Sequence, residues 1–341
     1  MTHTPRKVLL TGCAGFIGSN FLRGLLETHP ELEIVHIDAL TYAGNLESIK
    51  DVLENPKHKF VRGDIRDAGL VEKLCEGIDT IFNFAAESHV DRSIDGPRAF
   101  VETNIGGTFN LLEAARKHRV ARFVQISTDE VYGSLYDDHA KFTEETPLAP
   151  NSPYSASKAS SDMLVRSYHH TFGMDTITTR CSNNYGPFQF PEKLIPLMIQ
   201  NALSDKPLPV YGDGLNVRDW IHVSDHSAGV WAAAVKGNAG EVYNLGSDNE
   251  WANIEIVKTL LKVLKKPESL IKFVKDRPGH DRRYAIDATK AHRQLEWRPK
   301  IKFDEGLKST VDWYLSNREW ISSVTSGDYK TFYDRWYSER R

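Results

Sequence analysis

Short apolar runs recur through the first half of the chain, at 7–11, 33–38, 59–62, 80–84, 122–127 and 176–180. Runs of this length, rich in Val, Ile and Phe, read as strands of a buried parallel sheet. Between them lie longer stretches at 16–26, 68–75, 97–117 and 153–171, where apolar residues recur at helical spacing. Strand and helix in alternation predict an α/β fold, a doubly wound parallel sheet of Rossmann type. The rhythm changes after Arg180. Ser182 to Pro191 is dense in Asn, Gly and Pro, and shorter elements follow it. A smaller C-terminal lobe over 181–341 is therefore expected, interleaved with a first domain over 1–180. Late segments near 212–245, the apolar run 241–245 among them, are expected to return to the main sheet. No repeat or low-complexity tract parts the two, which predicts close packing with a cleft between.

Composition narrows the function class. Of 341 residues, 40% are apolar, enough for a sizeable core, and 46 acids against 43 Lys and Arg leave a net charge of −3. No global basic field draws such a chain to nucleic acid or to anionic lipid. No stretch approaches the roughly 18 apolar residues that cross a bilayer, and the apolar run ending at Gly12 is too short for an export signal. Cys13, Cys75 and Cys181 are far apart and form no CxxC pair, so a reducing, cytoplasmic setting is expected, without a zinc site. His169 and His170 lack clustered partners and read as packing or surface residues; no metal is expected. Trp336 and Tyr337 read as packing residues.

The first predicted strand runs into Gly12-Cys-Ala-Gly15-Phe-Ile-Gly18, a glycine-rich turn that opens a helix. Glycines allow close backbone approach, and a helix start offers free N–H groups and partial positive charge to a pyrophosphate. Asp38 ends the second strand, twenty residues after Gly18, where a carboxylate can accept bonds from ribose hydroxyls. Ala39, Leu40 and Thr41 follow, with no cation for a 2′-phosphate, so the expected cofactor is NAD and not NADP. Asp64 and Ile65 follow the third strand. Phe84, Ala85, Ala86, Glu87 and Ser88 follow the fourth, where small alanines let a cofactor lie against the backbone.

Ser127-Thr128-Asp129-Glu130 closes the fifth strand, and Tyr154 and Lys158 follow, four apart on one helix face. Carboxyl ends of strands are where open α/β sheets bind ligands. A Tyr/Lys pair suits hydride transfer at an alcohol: an ammonium and a cationic nicotinamide are both expected to lower the tyrosine's pKa from about 10. Thr128 can bond the same oxygen. Two adjacent carboxylates suit a second proton transfer, their repulsion helping to hold one protonated and one ionised.

These motifs resemble the extended short-chain dehydrogenase/reductase superfamily and, within it, the nucleotide-sugar 4,6-dehydratases, above all the dTDP-glucose 4,6-dehydratase family. The likeness runs nearly end to end: Asp38 to Asn45, Ala85 to Ser93, Ser127 to Gly133, Arg180 to Pro187, Pro191 to Pro196, Arg218 to Trp220 and Arg277 to Tyr284. Cys13 departs from it, at a position where relatives often have glycine. The resemblance implies that Tyr154 and tightly bound NAD+ oxidise a sugar C4 alcohol, that Glu130 removes the C5 proton, and that Asp129 protonates the C6 hydroxyl. The hydride then returns to C6. Cofactor contacts are implied at Phe16, Ile17, Thr41, Asn45, Ser88, Thr103, Tyr154 and Lys158, with Asn184 near the nicotinamide.

For the substrate, a nucleotide sugar, the resemblance implies diphosphate contacts at Lys193, Arg218 and Arg277, with His280 near the phosphates. Asn183, Asn253, Ser88 and Thr128 are implied as polar contacts, and Leu194, Pro209 and Tyr211 as pocket walls. Helices 97–117 and 153–171 resemble the superfamily's homodimer interface. A 4-epimerase on the same fold has no need of Asp129 and Glu130, and a catalytically silent NAD-sensing protein has no need of the whole set. Thymidine and uridine sugars stay open, since one methyl separates the bases.

Overall fold

The structure is a computed structural model and describes residues 2–137 and 139–325; Trp336 and Tyr337 lie outside the described residues. Its strands are β1 (Lys7–Thr11), β2 (Glu33–Asp38), β3 (His58–Arg62), β4 (Thr80–Asn83), β5 (Arg122–Thr128), β6 (Thr176–Cys181), β7 (Asn183–Tyr185), β8 (Leu208–Tyr211), β9 (Val217–His222), β10 (Val242–Leu245), β11 (Glu250–Ala252) and β12 (Ile271–Val274). Seven form one parallel sheet in the order β10-β6-β5-β4-β1-β2-β3. Strand order reverses between β1 and β4, and a crevice opens at such a switch point. Side chains alternate across the sheet. Val8 and Leu10 pack with Phe82 and Val124 on one face, whereas Leu9 packs with Ile81 and Phe123 on the other.

Helices cover both faces. The helix Phe16–Thr28 follows β1 directly. The helix Pro153–Phe172 starts at a Ser152/Ser155 capping box with Pro153 in its first turn, and it stops at Gly173 in the left-handed conformation. The stretch expected as one helix over 97–117 is broken. Arg98–Phe100 is α-helical, Val101–Gly107 is a π-type turn, and Thr108–His118 is α-helical again. The buried Asn104 amide is the physical reason. It bonds the Glu87 backbone N–H at 2.8 Å and carbonyl at 3.0 Å, and it reaches the Ser157 hydroxyl at 2.8 Å. Widened helical turns of this kind often sit at functional sites.

The remaining strands make two small sheets, β11-β9-β7 and β12-β8. Helices Leu194–Leu203, Asn253–Leu264 and Phe303–Ser316 close a second core over them around Met198, Trp220, Leu260 and Tyr314. The β8–β12 pair is parallel, with Tyr211 opposite Val274.

Candidate active site

Two cavities meet beside Lys193, which lines both, and they measure about 290 Å³ and about 140 Å³. The larger follows the carboxyl ends of β1 to β4. Gly12, Gly15 and Gly18 form its floor, with Phe16 and Ile17 from the helix they open. Asp38 and Thr41 come from the β2 end, Asp64 and Ile65 from the β3 end. Phe84, Ala85, Ala86 and Ser88 follow β4, and Thr103 stands on the π turn.

The glycines here are steric requirements. A Cβ on Gly12, whose φ is +73°, would sit 2.7 Å from the Ala85 backbone, and one on Gly18 would sit 2.6 Å from the Gly12 carbonyl. Gly15 caps the helix Phe16–Thr28 with no side-chain bond, so the first N–H groups are left for an anionic ligand. Asp38 is held rigidly: one carboxylate oxygen accepts the Ala14 N–H at 2.8 Å, the other the Leu40 N–H at 2.8 Å. This narrow backbone cradle, with a fixed acid at its ribose end, fits a dinucleotide.

Two residues expected at the cofactor make hydrogen bonds within the protein. Asn45 caps the 3-10 turn Leu46–Ser48, accepting the Glu47 N–H at 2.9 Å. The Asn184 amide donates to the Ser182 carbonyl at 3.1 Å and meets His226 Nδ1 at 2.9 Å. Neither lines the larger cavity.

The smaller cavity is built from side chains. Lys193, Arg218 and Arg277 bring cations, and Asn183, Asn253 and His280 bring polar groups. Leu194, Pro209 and Tyr211 form an apolar wall, and Glu130 faces in from the β5 end. The side-chain oxygens of Asn183 and Asn253 and the Arg277 Nε are buried without a hydrogen-bond partner. Unspent polar atoms converging on one cavity are what a polar ligand would satisfy.

Between the cavities β5 ends at Thr128, and Asp129–Tyr132 turns as one 3-10 unit. The Thr128 hydroxyl accepts the Glu130 N–H at 3.3 Å and lies within hydrogen-bonding reach of the Tyr154 phenol. Burial pushes Asp129 well above the carboxyl range, and the neighbouring Glu130 charge pushes it further. Its Oδ2 has no partner, as suits a neutral acid with a proton to give. Glu130 is raised too, by burial, but Arg277, Lys193 and Arg218 pull it back toward ionisation. Both carboxyls are thus raised, Asp129 with a like charge adding to burial and Glu130 with three cations opposing it.

The expected drop in the Tyr154 pKa draws on a nicotinamide ring as well as on Lys158; the protein by itself sets it the other way. Burial pushes it well above 10, and Glu130 adds to the rise. Lys158 is also buried, which lowers its own pKa, and it donates to the Ile126 carbonyl at 2.7 Å. Beneath it Asp162 accepts from Ser127 at 3.0 Å and from Arg180 at 2.9 Å.

Comparison with known proteins decides the family. A family model described as GDP-mannose 4,6 dehydratase matches residues 9–310. The chain is 52% identical to a dTDP-glucose 4,6-dehydratase of Xanthomonas campestris, over 94% of this chain and 97% of that one. It is 49% identical to the dTDP-glucose 4,6-dehydratase of Salmonella typhimurium, over 98% of this chain and all of that one. The crystal structure of DesIV, a dTDP-glucose 4,6-dehydratase from Streptomyces venezuelae with NAD and TYD bound, superposes with a TM-score of 0.91 at 50% identity, covering 93% of this chain and 99% of that one. This chain belongs to the 4,6-dehydratase family.

In this family member several site residues escaped sequence reasoning. Asp91, Glu192 and Tyr284 line the smaller cavity. Tyr284 donates to Asp281, and the Arg218 guanidinium lies over its ring at 4.2 Å. Glu192 pairs with Arg92. Each sits within or beside a stretch that carries the family resemblance, but a buried carboxylate or phenol has no spacing signature of its own. Among the described residues no cluster of His, Cys, Asp and Glu could hold a metal, and His169 Nδ1 meets the Met174 carbonyl at 2.8 Å.

Proposed function

We propose that this 4,6-dehydratase converts dTDP-glucose to dTDP-4-keto-6-deoxyglucose and water, using tightly held NAD+ that is regenerated in each cycle. The observation that carries the proposal is the Asp129–Glu130 pair at the β5 end: both carboxyls are raised by burial, but the Glu130 charge pushes Asp129 up further while Arg277, Lys193 and Arg218 pull Glu130 back toward ionisation. When bound, NAD+ supplies a hydride acceptor for C4, a cationic ring that favours the Tyr154 phenolate, and the same hydride for C6.

The chain's residues do the rest. Gly12, Gly15, Gly18 and the helix start hold the pyrophosphate, and Asp38 holds the ribose. Tyr154 takes the C4 hydroxyl proton, with Thr128 bonded to the same oxygen. Lys158, one turn along the helix from Tyr154, fixes the helix face against the Ile126 carbonyl. A C4 ketone acidifies the C5 hydrogen, and Glu130 accepts that proton. Asp129 gives its proton to the C6 hydroxyl, so water leaves, and Glu130 returns its proton to C5 as hydride reaches C6. Lys193, Arg218 and Arg277 meet the diphosphate, and Pro209 and Tyr211 flank the base. C4 is oxidised and C6 reduced, so no net redox change results.

The same reading takes 1–180, with segments near 212–245, as the NAD-binding part and 181–341 as mainly the substrate lobe. It takes a second copy of this chain as partner. Val101, Phe109, Met163 and Phe172 are exposed apolar side chains on the two helical stretches expected to pair. Three buried free thiols suit the cytoplasm.

Incubating NAD-loaded protein with dTDP-glucose and with UDP-glucose, then adding alkali, tests both halves of the proposal. The ultraviolet absorbance of a 4-keto sugar is expected from both, and faster from dTDP-glucose. One methyl is worth only about 1–3 kcal/mol. Absence of the signal overturns dehydration, and faster turnover of UDP-glucose overturns the choice of base.

A further inference from the structure

We infer that Asp91 is a positioning residue of the substrate pocket: its two carboxylate oxygens hold Tyr211 and Arg277, locking the nucleotide wall and a diphosphate cation to the cofactor-bearing sheet as one unit. The inference rests on the dehydratase reading of that pocket.

Asp91 stands in the first turn of the helix Val90–Asp95, shortly after β4, and is 4% exposed. A carboxylate there could serve its own helix by accepting free N–H groups. Both oxygens instead reach across the cleft. Oδ2 accepts the Tyr211 hydroxyl at 2.9 Å, and Oδ1 accepts Arg277 Nη1 at 3.0 Å. Tyr211 ends β8, and Arg277 follows β12, the strand paired with it. One side chain therefore grips both members of a two-stranded wall that belongs to the other lobe.

The pairing has a physical cause. A guanidinium buried without a counter-charge is strongly disfavoured, so Arg277 needs a carboxylate when no diphosphate is present. Asp91 provides it through Nη1, while Arg277 Nε stays without a partner. The cation is thereby held in place with a donor in reserve, and a bidentate fork toward phosphate is pre-oriented. Burial pulls Asp91 up, but Arg277, His89 and the Tyr211 hydroxyl together hold the carboxyl below its ordinary value, so the charge persists. Tyr211 in turn meets His280 edge-on at 6.0 Å between ring centroids, and His280 bonds Asp276 at 2.6 Å. The wall is thus a linked set that Asp91 ties down at one point.

The test is Asp91→Asn in the NAD-loaded enzyme, with calorimetric titration of dTDP beside steady-state kinetics on dTDP-glucose. An amide still accepts from Tyr211 but no longer balances Arg277. Losing one buried charge-assisted contact predicts dTDP binding weaker by about tenfold or more, and KM raised alike. The expected kcat changes less than about threefold, because the reacting groups at β5 are untouched. Tyr211→Phe, which removes one hydroxyl, is expected to weaken dTDP by about threefold. Combined with Asp91→Asn it should add less than the product of the two, since one carboxylate serves both. Unchanged or tighter dTDP binding in Asp91→Asn overturns the inference, as does a fall in kcat at unchanged KM. If Asp91→Asn does not fold, Tyr211→Phe decides alone, and full dTDP affinity there overturns it. Wild-type protein that turns over no dTDP-glucose overturns the dehydratase reading instead, and the ratio of dTDP affinities still decides the role of Asp91.

Discussion

The two cavities that meet at Lys193 are made in opposite ways. The larger is shaped by side chains that are missing: glycines bring β1 and β4 so close that a single Cβ would collide with backbone. Its acid at the β2 end, Asp38, is pinned by two backbone N–H groups. The smaller is shaped by charges that burial alone would reject, Lys193, Arg218 and Arg277 facing Glu130 and Asp91. The first presents shape and backbone dipoles to a ligand that stays. The second holds opposed charges at high electrostatic tension, poised for a ligand that comes and goes. Proton chemistry belongs to the border between them.

Breaking the charged side should cost most. Glu130→Gln is expected to lower dehydration by about 10²–10⁴, the usual worth of a positioned general base. NAD reduction on mixing with sugar nucleotide should partly survive, and stopped-flow NADH absorbance checks it. Unchanged turnover would remove Glu130 from the mechanism. On the backbone side, Gly12→Ala combines a left-handed φ with a 2.7 Å approach to Ala85. A loss of about 1–3 kcal/mol of stability is expected, with a matching fall in co-purified NAD. A variant that keeps full NAD would show that the cradle is looser than its geometry.

The pH profile sharpens the border. In the proposed mechanism Glu130 acts ionised, and burial raises its pKa above 4.5. Activity should therefore fade as pH drops through that raised value, at higher pH than an ordinary carboxyl would allow. The proposed role of Asp129 needs it protonated, and it is raised well above 3.8, so a second loss is expected as pH climbs through its pKa. Lys193→Met removes a cation that favours ionised Glu130, which should move the acid limb of kcat upward by about half a unit to one unit. A limb that stays put would mean that another group sets it. The smallest effect is expected of Asn45→Ala, about 1 kcal/mol of stability through a lost cap, with NAD content nearly unchanged. Thermal unfolding and cofactor release measure both, and a large NAD loss would return Asn45 to the cofactor.

The contrast also explains what was legible in the amino-acid sequence. Every strand predicted in the main sheet is present with ends within a residue or so, because β-branched and apolar residues cluster there in stretches of strand length, Thr serving beside Ile in β6. The glycine turn was legible for the same steric reason that makes it necessary. The π turn was not: Thr103 and its neighbours continue a helical pattern, and only the tertiary bonds of Asn104 widen it. Asn184 sits next to Asn183 in the chain, yet its amide turns to His226, a partner 42 residues away. The high pKa of Tyr154 depends on burial and on Glu130, neither of which the spacing to Lys158 reveals. Asp91 lay in plain view in a stretch of family resemblance, but its meaning comes from two partners in the other lobe.

In the proposed reaction one hydride leaves C4 and returns to C6 while Asp129 and Glu130 move the protons. Turnover of dTDP-glucose carrying deuterium at C4 tests it most directly, with the product read by mass spectrometry and NMR. The account predicts a 4-keto-6-deoxy product with deuterium on C6 and no accumulated NADH. Deuterium still at C4 in an epimerised sugar, or lost to solvent, would contradict it.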